Sequence, residues 1–452
     1  RGRHAARPPQ EAPEPPALRS AAAAGGAALL RRALVKGVEA VALEEIGLAV
    51  GPLESRAQSG PLCPELTALL GCLMCLGGLV MQRLGRTTNA ALAFAKALPQ
   101  LQKAISAPER PHFDWLARRF CVAALLLAGA AAEARQLAEE SAGLCSSAVA
   151  WLLCGEANCR LAERLREDCP AEADQRLGAF HRACEALEIS ERLEPGRRRV
   201  YQIWAFCLTM LGDLPACARV GDLAVRSCRG FWAHRLQRPH HMVSGLTARP
   251  WHELGAFPWI RRLEELWPRI REELDAVEGE GRGWPEVVGH EKSLVLNQGS
   301  WLEYPLLGYS KEVDAAARSR CPLTCKLLSE IEPVQSHADC YPDQKTAMFS
   351  RLTPGTHIKA HCGPMNTHLT CHMGLRIPPG CEIRVGESAR TWEEGRCIVF
   401  DDSFEHEVWH RGSEVRVVLL LRFWHPELPP ERRAAAMEEM ARARADKSWL
   451  LA

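Results

Sequence analysis

Three histidines lie within twelve positions of the stretch "HCGPMNTHLTCHMGL", at His361, His368 and His372. Imidazole is the commonest metal ligand in proteins, so this density suggests a metal site. The stretch contains no Asp or Glu to complete such a site. A further histidine, His406, follows 45 residues after His361, and Arg416 follows ten residues after His406. The chemistry these residues suggest is metal binding by imidazoles with a guanidinium nearby.

Residue alternation predicts which of these side chains share one face of a strand. In the segment 367–377 the apolar residues fall on one face, which places His368, Thr370 and His372 on the other. His361 precedes this strand and is expected at a strand end or rim. His368 is predicted to be incidental to the site.

The later strands place one more imidazole and two guanidinium groups on particular faces. His406 stands between Phe404 and Val408 on an otherwise apolar face, an inward position that suits a metal ligand. Arg416 and Arg422 share a face of the apolar run "VRVVLLLRFW". If Arg416 points inward, its charge needs an anionic partner.

These residues lie in a region whose residue pattern predicts short strands. Seven runs alternate or are apolar between turn residues, and together they predict an antiparallel sandwich or barrel with its core at 345–425. The runs are 346–352, 356–360, 367–377, 381–385, 396–400, 404–409 and 415–424.

The first half of the chain is rich in Ala and Leu and is predicted to be helical. Small or apolar residues follow Gly85, Gly129, Gly178 and Gly212 at offsets of 5, 9 and 12, and the last two glycines are 34 residues apart. This spacing resembles tetratricopeptide repeats, in which two antiparallel helices pack closely across a glycine turn. An alanine-rich helical domain of no particular family is the alternative.

Changes in composition along the chain predict its domain boundaries, and its net charge argues against nucleic acid as a partner. We expect a disordered, truncated or processed segment at 1–58, a helical repeat domain at 59–236, a β-rich domain at 237–430 and a C-terminal helix at 431–452. The 56 Lys and Arg against 55 Asp and Glu produce no field that would attract nucleic acid.

Two further features of composition concern membranes and thiols. The apolar run 66–81 is shorter than the ~20 residues that span a bilayer, so we expect a buried helix and no membrane segment. The 19 scattered cysteines favour reduced thiols.

The combined motifs resemble the aspartyl/asparaginyl β-hydroxylases, a branch of the 2-oxoglutarate-dependent oxygenases. The segments "PGTHIKAHCGPMN", "HMGLRIP", "RTWEEGRCIVFDDSFEHEVWH" and "FWHPEL" carry the resemblance, with "GLTARPW" ahead of them. It implies a double-stranded β-helix that uses Fe(II), 2-oxoglutarate and O2 to hydroxylate Asp or Asn at Cβ in a protein substrate, including epidermal-growth-factor-like domains. If an anchor precedes this chain, the endoplasmic reticulum is implied as the compartment.

The resemblance also implies roles for individual residues. The iron ligands fall on His361 and His406, with Gly363 at the position where related oxygenases have an acid. The positions that contact 2-oxoglutarate are the following: Trp301, Ser350, Thr370, His372 and Arg416.

Several points remain open at this stage. The family has arginine where this chain has Thr370, which affects either cosubstrate geometry or recognition of an acidic target. Cys321 and Cys325 resemble a family disulfide, but their spacing is shorter. Asp401 and Asp402 are turn formers or orient an imidazole. Competing functions are a non-catalytic repeat scaffold with a degenerate β-domain and a metal-dependent cupin enzyme that uses no keto acid.

Overall fold

The computed structural model describes two compact units. The described residues are 20–109, 114–145, 147–167, 169–279, 284–289, 292, 294–296, 299–340 and 345–445. One unit comprises residues 1–211 with 444–452, and the other comprises residues 212–443.

Most helices lie in the first half of the chain, and most strands lie in the second half. The helices are α1 (Ala21–Lys36), α2 (Leu43–Ser59), α3 (Pro64–Arg83), α4 (Thr87–Ile105), α5 (Asp114–Ala128), α6 (Ala131–Leu144), α7 (Ala148–Arg164), α8 (Pro170–Leu193), α9 (Arg198–Leu211), α10 (Leu214–Ser227), α11 (Trp259–Gly279), α12 (Lys311–Arg320), α13 (Pro322–Ser329), α14 (Glu332–Cys340) and α15 (Pro430–Ala445). The strands are β1 (Trp251–His252), β2 (Val295–Leu296), β3 (Trp301–Leu307), β4 (Ala347–Leu352), β5 (His357–His361), β6 (His368–Arg376), β7 (Cys381–Val385), β8 (Ser388–Arg390), β9 (Cys397–Phe400), β10 (His406–His410) and β11 (Arg416–Trp424).

The first unit is helical, and glycines permit its closest helix contacts. A Cβ at Gly78 of α3 would lie 2.6 Å from the Phe94 ring of α4, and one at Gly155 of α7 would lie 2.6 Å from Leu187 Cγ of α8. Phe94 and Leu187 are two of the residues that the repeat offsets select, and both are buried. The spacing therefore identified genuine packing positions.

Three expectations about this region are wrong. Helices α1 and α2 occupy residues 21–36 and 43–59, within the segment predicted to be disordered or truncated, because their alanines and leucines bury against the helical core. Residues 1–19 of that segment lie outside the described residues. Gly178 is inside α8 and not in a turn, whereas Gly85, Gly129 and Gly212 have the positive φ of turn glycines. The division between units follows residue 211 and not 236, so α10 groups with the second unit.

Helix α3 has the length and composition of a membrane span, with a mean hydropathy of 1.7 over its best window. Of that window 78% is buried inside the protein, and core helices of this kind pass the same test. The prediction that the apolar run 66–81 forms a buried helix is confirmed.

The second unit contains two antiparallel sheets. The six-stranded sheet has the order β1-β9-β6-β11-β4-β3, and the five-stranded sheet has the order β2-β5-β10-β7-β8. All seven predicted strands are present, as β4 to β7 and β9 to β11. The predicted C-terminal helix is α15, although its last predicted residues, 446–452, lie outside the described part of the chain.

The six-stranded sheet buries a different set of residues on each face. Odd-numbered residues of β6 and β11 pack against helices α11 to α14, as Leu369 and Leu419 illustrate. Even-numbered residues of β11, such as Val418 and Leu420, belong to a separate core with Ile383 of the five-stranded sheet. The even-numbered positions that carry the candidate site thus face the space between the sheets.

The described residues include all 19 cysteines, and no disulfide is formed among them. Cys321 and Cys325 lie at and within the first turn of α13 and are buried, and the Cys325 thiol contacts the Leu306 carbonyl at 3.6 Å. The disulfide that the resemblance suggested is therefore not formed in this structure.

Candidate active site between the two sheets

A cavity of about 380 Å³ lies between the two sheets. It collects side chains from strands β3 to β7 and β9 to β11, which are far apart in sequence. Its polar lining residues are Trp301, His337, Lys345, Ser350, His361, Cys362, His368, Thr370, His372, Asp402, His406, Arg416 and Arg422. Every residue that sequence reasoning proposed as a ligand or cosubstrate contact therefore lines one cavity.

His361 and His406 are a pair across two strands. His361 ends β5 and His406 begins β10, and the two residues are direct partners in the register, with ring centroids 4.1 Å apart. The Nδ1 of His361 lies 2.8 Å from the Lys359 carbonyl, and that of His406 lies 2.9 Å from the Phe404 carbonyl. A carbonyl only accepts, so both Nδ1 atoms carry the proton, and Nε2 is the nitrogen suited to a metal.

Burial keeps His406 in the form that a metal requires. Desolvation lowers its pKa, although the charge of Asp402 opposes this effect. The imidazole is therefore neutral near pH 7, and a neutral ring nitrogen is the donor to a metal ion.

The position expected to hold an acid is filled from another part of the chain. A Cβ at Gly363 would lie 2.8 Å from Asp402 Oδ1, and the Gly363 N–H donates to the Asp402 carbonyl at 2.7 Å. Among the described residues no group of three His, Cys, Asp or Glu side chains has metal-site geometry. The site thus has two imidazoles with a carboxylate beside the position of Gly363.

Asp402 is held by two residues of β6. Thr370 Oγ1 donates to Asp402 Oδ2 at 3.1 Å, and His368 Nε2 lies 3.4 Å from Asp402 Oδ1. Burial raises the pKa of Asp402, but the charges of His368 and Arg422 more than offset this and hold it well below its ordinary value. His368, which we expected to be incidental, is therefore part of the cavity's polar wall.

Asp401 has a different environment from its neighbour. Its carboxylate accepts hydrogen bonds from the Ser403 N–H at 2.9 Å and from Gln237 Nε2 at 3.0 Å, and it does not line the cavity. Burial raises its pKa to about 8, against the opposing effect of the Ser403 hydrogen bond. Asp401 therefore shapes the turn before β10, and Asp402 alone faces the site.

Arg416 is a buried cation without a carboxylate partner among the described residues. It is 2% exposed, its guanidinium lies 4.2 Å from the centroid of the Trp392 ring, and its Nε has no hydrogen-bond acceptor. Desolvation lowers its pKa to about 10, so it stays charged at neutral pH. A buried unpaired charge is costly, and sites of this kind bind anions.

His372 and Ser350 lie on strands that flank β11. Both ring nitrogens of His372 are buried and have no hydrogen-bond partner, and the ring is 5.0 Å from that of Phe400, centroid to centroid. Ser350 Oγ accepts a hydrogen bond from Trp301 Nε1 at 3.1 Å. Buried polar atoms are almost always satisfied, so this imidazole is suited to hydrogen-bond a polar group within the cavity.

The buried histidines predict a pH-dependent stability. Burial lowers the pKa of His372 and His337 below 6.5, so the unfolded chain binds protons near pH 6.5 that the folded chain does not. We expect the free energy of unfolding to fall below about pH 6.5, by up to about 1.4 kcal/mol per pH unit for each histidine. Urea unfolding at pH 7.0 and 5.5 measures this loss, and His372→Gln should reduce it. An equal loss in that variant would contradict the assignment to His372.

Sequence reasoning missed several residues of the cavity. Arg422 was placed on the face of Arg416 without a role, and Lys345 and His337 were not considered. The alternation of β11 was a sufficient signal for Arg422. Lys345 precedes β4, where residue spacing gives no facing direction. His337 lies in α14, a helix that the sequence analysis did not predict.

Sequence comparisons identify a family model and several relatives that are similar to this chain. The family model described as aspartyl/asparaginyl beta-hydroxylase matches residues 264–426. A mouse (Mus musculus) protein of that name is 37% identical over 209 residues, which cover 45% of this chain and 27% of that protein. The ornithine lipid ester-linked acyl 2-hydroxylase of Rhizobium tropici is 32% identical over 206 residues, which cover 44% of this chain and 68% of that protein.

The histidine pair lies in a cavity between two antiparallel sheets, and the relatives are named as hydroxylases. The chain belongs to the aspartyl/asparaginyl β-hydroxylase family. It matches about a quarter of the length of the mouse protein. A solved MamA structure from Desulfovibrio magneticus RS-1 is also similar, with 18% identity, 46% of this chain and 95% of that one covered, and a TM-score of 0.29.

Proposed function

We propose that this protein is an Fe(II)- and 2-oxoglutarate-dependent dioxygenase that hydroxylates a peptidyl side chain, Asp or Asn at Cβ, in a protein substrate. The observation that carries the proposal is the buried Arg416, which has no carboxylate partner among the described residues and shares a cavity with the His361 and His406 pair. A dicarboxylate that also binds a metal satisfies both features at once.

The proposal includes a finer account of the two units. We propose that the second unit is a double-stranded β-helix, supported by its two antiparallel sheets with the site between them. We propose that the first unit is a tetratricopeptide-like array, supported by turn glycines at Gly85 and Gly129 and by close helix pairs. The domain limits follow as 20–211 for the helical region and 212–430 for the oxygenase.

Each residue has a role that its surroundings support. His361 and His406 hold Fe(II) through Nε2, with both rings oriented by backbone carbonyls. Arg416 pairs with the carboxylate of 2-oxoglutarate remote from the metal, and Ser350 Oγ donates to the same carboxylate while accepting from Trp301. His372 hydrogen-bonds the cosubstrate and so satisfies its bare ring nitrogens.

The cofactors supply the oxidation, since Fe(II), 2-oxoglutarate and O2 together insert one oxygen atom into a C–H bond and release succinate and CO2. The chain's own contribution is to position the metal, the cosubstrate and the substrate, and to exclude water from the cavity. Apolar side chains of Ile358, Ile383, Val408 and Leu420 line the rest of the cavity and keep it dry around the bound groups.

The substrate is the part of the proposal that depends most on relatives. The mouse relative is named for aspartyl and asparaginyl hydroxylation, which supports an Asp or Asn side chain as the substrate. Epidermal-growth-factor-like domains are candidate partners only through the resemblance of the motifs. The cavity volume of about 380 Å³ is large enough for one substrate side chain beside a small cosubstrate.

Anaerobic addition of Fe(II) and then 2-oxoglutarate tests the proposal. We expect a visible charge-transfer band that appears only when both are present, and hydroxylation of peptides is then measured by mass spectrometry. A scaffold with a degenerate β-domain would bind neither component. A cupin that uses no keto acid would bind iron without the band, so the absence of the band contradicts the proposal.

Restoring the acid at position 363 is expected to damage the protein. In Gly363→Asp the new Cβ meets Asp402 Oδ1 at 2.8 Å and adds a second carboxylate beside it. Overpacking alone costs about 1 to 3 kcal/mol, and the like charges add to this cost. We expect a lower free energy of unfolding and no tighter Fe(II) binding, with Gly363→Ala as the control for the steric part. Tighter Fe(II) binding in Gly363→Asp would contradict the idea that Asp402 has taken this space.

A further inference from the structure

The resemblance to the family implies an arginine at the position of Thr370, and the structure shows what the threonine does there. It is buried, and its hydroxyl donates to Asp402 Oδ2 at 3.1 Å. A threonine carries no charge, so any anion that the family arginine would bind needs another cation in this chain.

Strand β11, next to β6, has a cationic side chain directly opposite Thr370. Arg422 of β11 is the direct register partner of Thr370 on β6, and both line the cavity. Arg422 therefore presents a guanidinium one strand away from the position that lacks one. The cavity therefore contains a guanidinium on β11, beside the position of Thr370.

Arg422 lies at the opposite end of the cavity face from the proposed cosubstrate anchor. Arg416 and Arg422 share the inward face of β11 six residues apart, roughly 20 Å along the strand at 3.4 Å per residue. A single 2-oxoglutarate bound to Arg416 leaves the Arg422 end for another group. Arg422 lines the same cavity as the proposed metal ligands His361 and His406.

The charges around Arg422 leave it without an ion pair. Its Nη1 donates to the Lys345 carbonyl at 2.7 Å, and it has no carboxylate within ion-pair distance among the described residues. Two carboxylates of this region have other partners. Glu303 lies 2.7 Å from Lys345 Nζ, and Asp402 accepts a hydrogen bond from Thr370 and lies 3.4 Å from His368 Nε2. A guanidinium has five N–H donors, so one backbone acceptor leaves most of its binding capacity unused.

We propose that Arg422 binds the carboxylate of an acidic peptide side chain and thereby makes the site prefer Asp over Asn. This inference rests on the proposed function, because it concerns the substrate of that same site. A guanidinium and a carboxylate form charge-assisted, often bidentate hydrogen bonds, whereas an amide presents a neutral oxygen and an NH2 group that also donates. Replacing Asp by Asn in the substrate thus loses the charge and places donor against donor.

Paired peptides test the preference by binding, without turnover. The protein is loaded anaerobically with Fe(II) and 2-oxoglutarate, and fluorescence anisotropy compares labelled peptides of identical sequence with a central Asp or a central Asn. We expect wild type to bind the Asp peptide about tenfold more tightly or better. Arg422→Met should reduce the ratio to about one, and Arg422→Lys should keep part of it because a point charge remains.

Relocating the charge provides the sharpest variant. Adding Thr370→Arg to Arg422→Met restores a guanidinium one strand away, and we expect the Asp preference to return. Arg411→Met, at an exposed arginine near the Trp409 ring outside the cavity, serves as the matched control and should leave the ratio unchanged.

These experiments distinguish a failure of the role given to Arg422 from a failure of the proposed function. No Asp preference in wild type, or an undiminished preference in Arg422→Met, contradicts the role of Arg422. Loss of the charge-transfer band in Arg422→Met would also contradict it, because the arginine would then serve the cosubstrate. Absence of the band in wild type contradicts the proposed function itself.

Discussion

Arg416→Met is expected to weaken 2-oxoglutarate binding by about 30-fold to more than 1,000-fold. Removing one partner of a buried, hydrogen-bonded charge pair costs about 2 to 5 kcal/mol, and each 1.4 kcal/mol is a factor of ten. Arg416 is 2% exposed and has no protein carboxylate partner among the described residues, so the ligand would supply the entire partner. Titration of the charge-transfer band with 2-oxoglutarate measures the change.

The same variant is expected to stabilise the ligand-free protein. Wild type pays to bury an unpaired guanidinium, and methionine fills much of that volume without a charge. Replacing buried ionic groups by apolar ones of similar size can stabilise by about 1 to 4 kcal/mol, which is seen as a higher unfolding temperature. Excess 2-oxoglutarate should then raise the unfolding temperature of wild type and not that of the variant.

Arg411→Met is the matched control for both measurements, because this exposed arginine lies outside the cavity. Arg416→Lys keeps the charge and loses the planar fork, so an intermediate affinity is expected. An affinity for 2-oxoglutarate within about threefold of wild type in Arg416→Met would place the anchor elsewhere.

His406→Ala is expected to remove the charge-transfer band and to weaken Fe(II) binding by at least about 100-fold. Loss of a residue that only orients a ligand costs about 10- to 100-fold in metal affinity, and His406 is proposed as one of two protein ligands. Its buried, neutral ring is oriented by the Phe404 carbonyl and has His361 as its register partner. Anaerobic equilibrium dialysis with Fe(II) measures the affinity.

Two histidines on the same strands serve as controls for that experiment. His357 of β5 bonds to Glu407 at 2.7 Å, and His410 of β10 contacts Cys381 at 3.2 Å, and neither lines the cavity. His357→Gln should leave Fe(II) affinity unchanged within a few-fold. Wild-type Fe(II) affinity in His406→Ala would remove this residue from the metal site.

The strands of the site region were predictable because their pattern is local. Alternation along β6 put His368, Thr370 and His372 on one face, and the structure has all three in the cavity. The two-residue strand β1 was not predicted, since its pairing with β9 depends on partners such as Phe400 about 150 residues away. Short strands of this kind carry no period of their own.

The errors in the helical half have a related cause. Ala-rich residues 21–36 offer few large apolar side chains to a periodicity argument, yet six of them are buried against other helices. Gly178 had the right offsets but lies inside α8, because glycine is tolerated in a helix when neighbouring residues favour it. Local spacing does not distinguish a turn glycine from one that helix contacts accommodate.

By itself, the sequence determined the residue types, their spacing along the chain and their faces on single strands, because strand alternation is a property of neighbouring residues. The tertiary structure alone decided which distant residues meet. Strand register brought His361 opposite His406 and Arg422 opposite Thr370, and the turn before β10 placed Asp402 in the space beside Gly363. Register depends on the packing of both sheets against one core, so it could not be derived from any one segment.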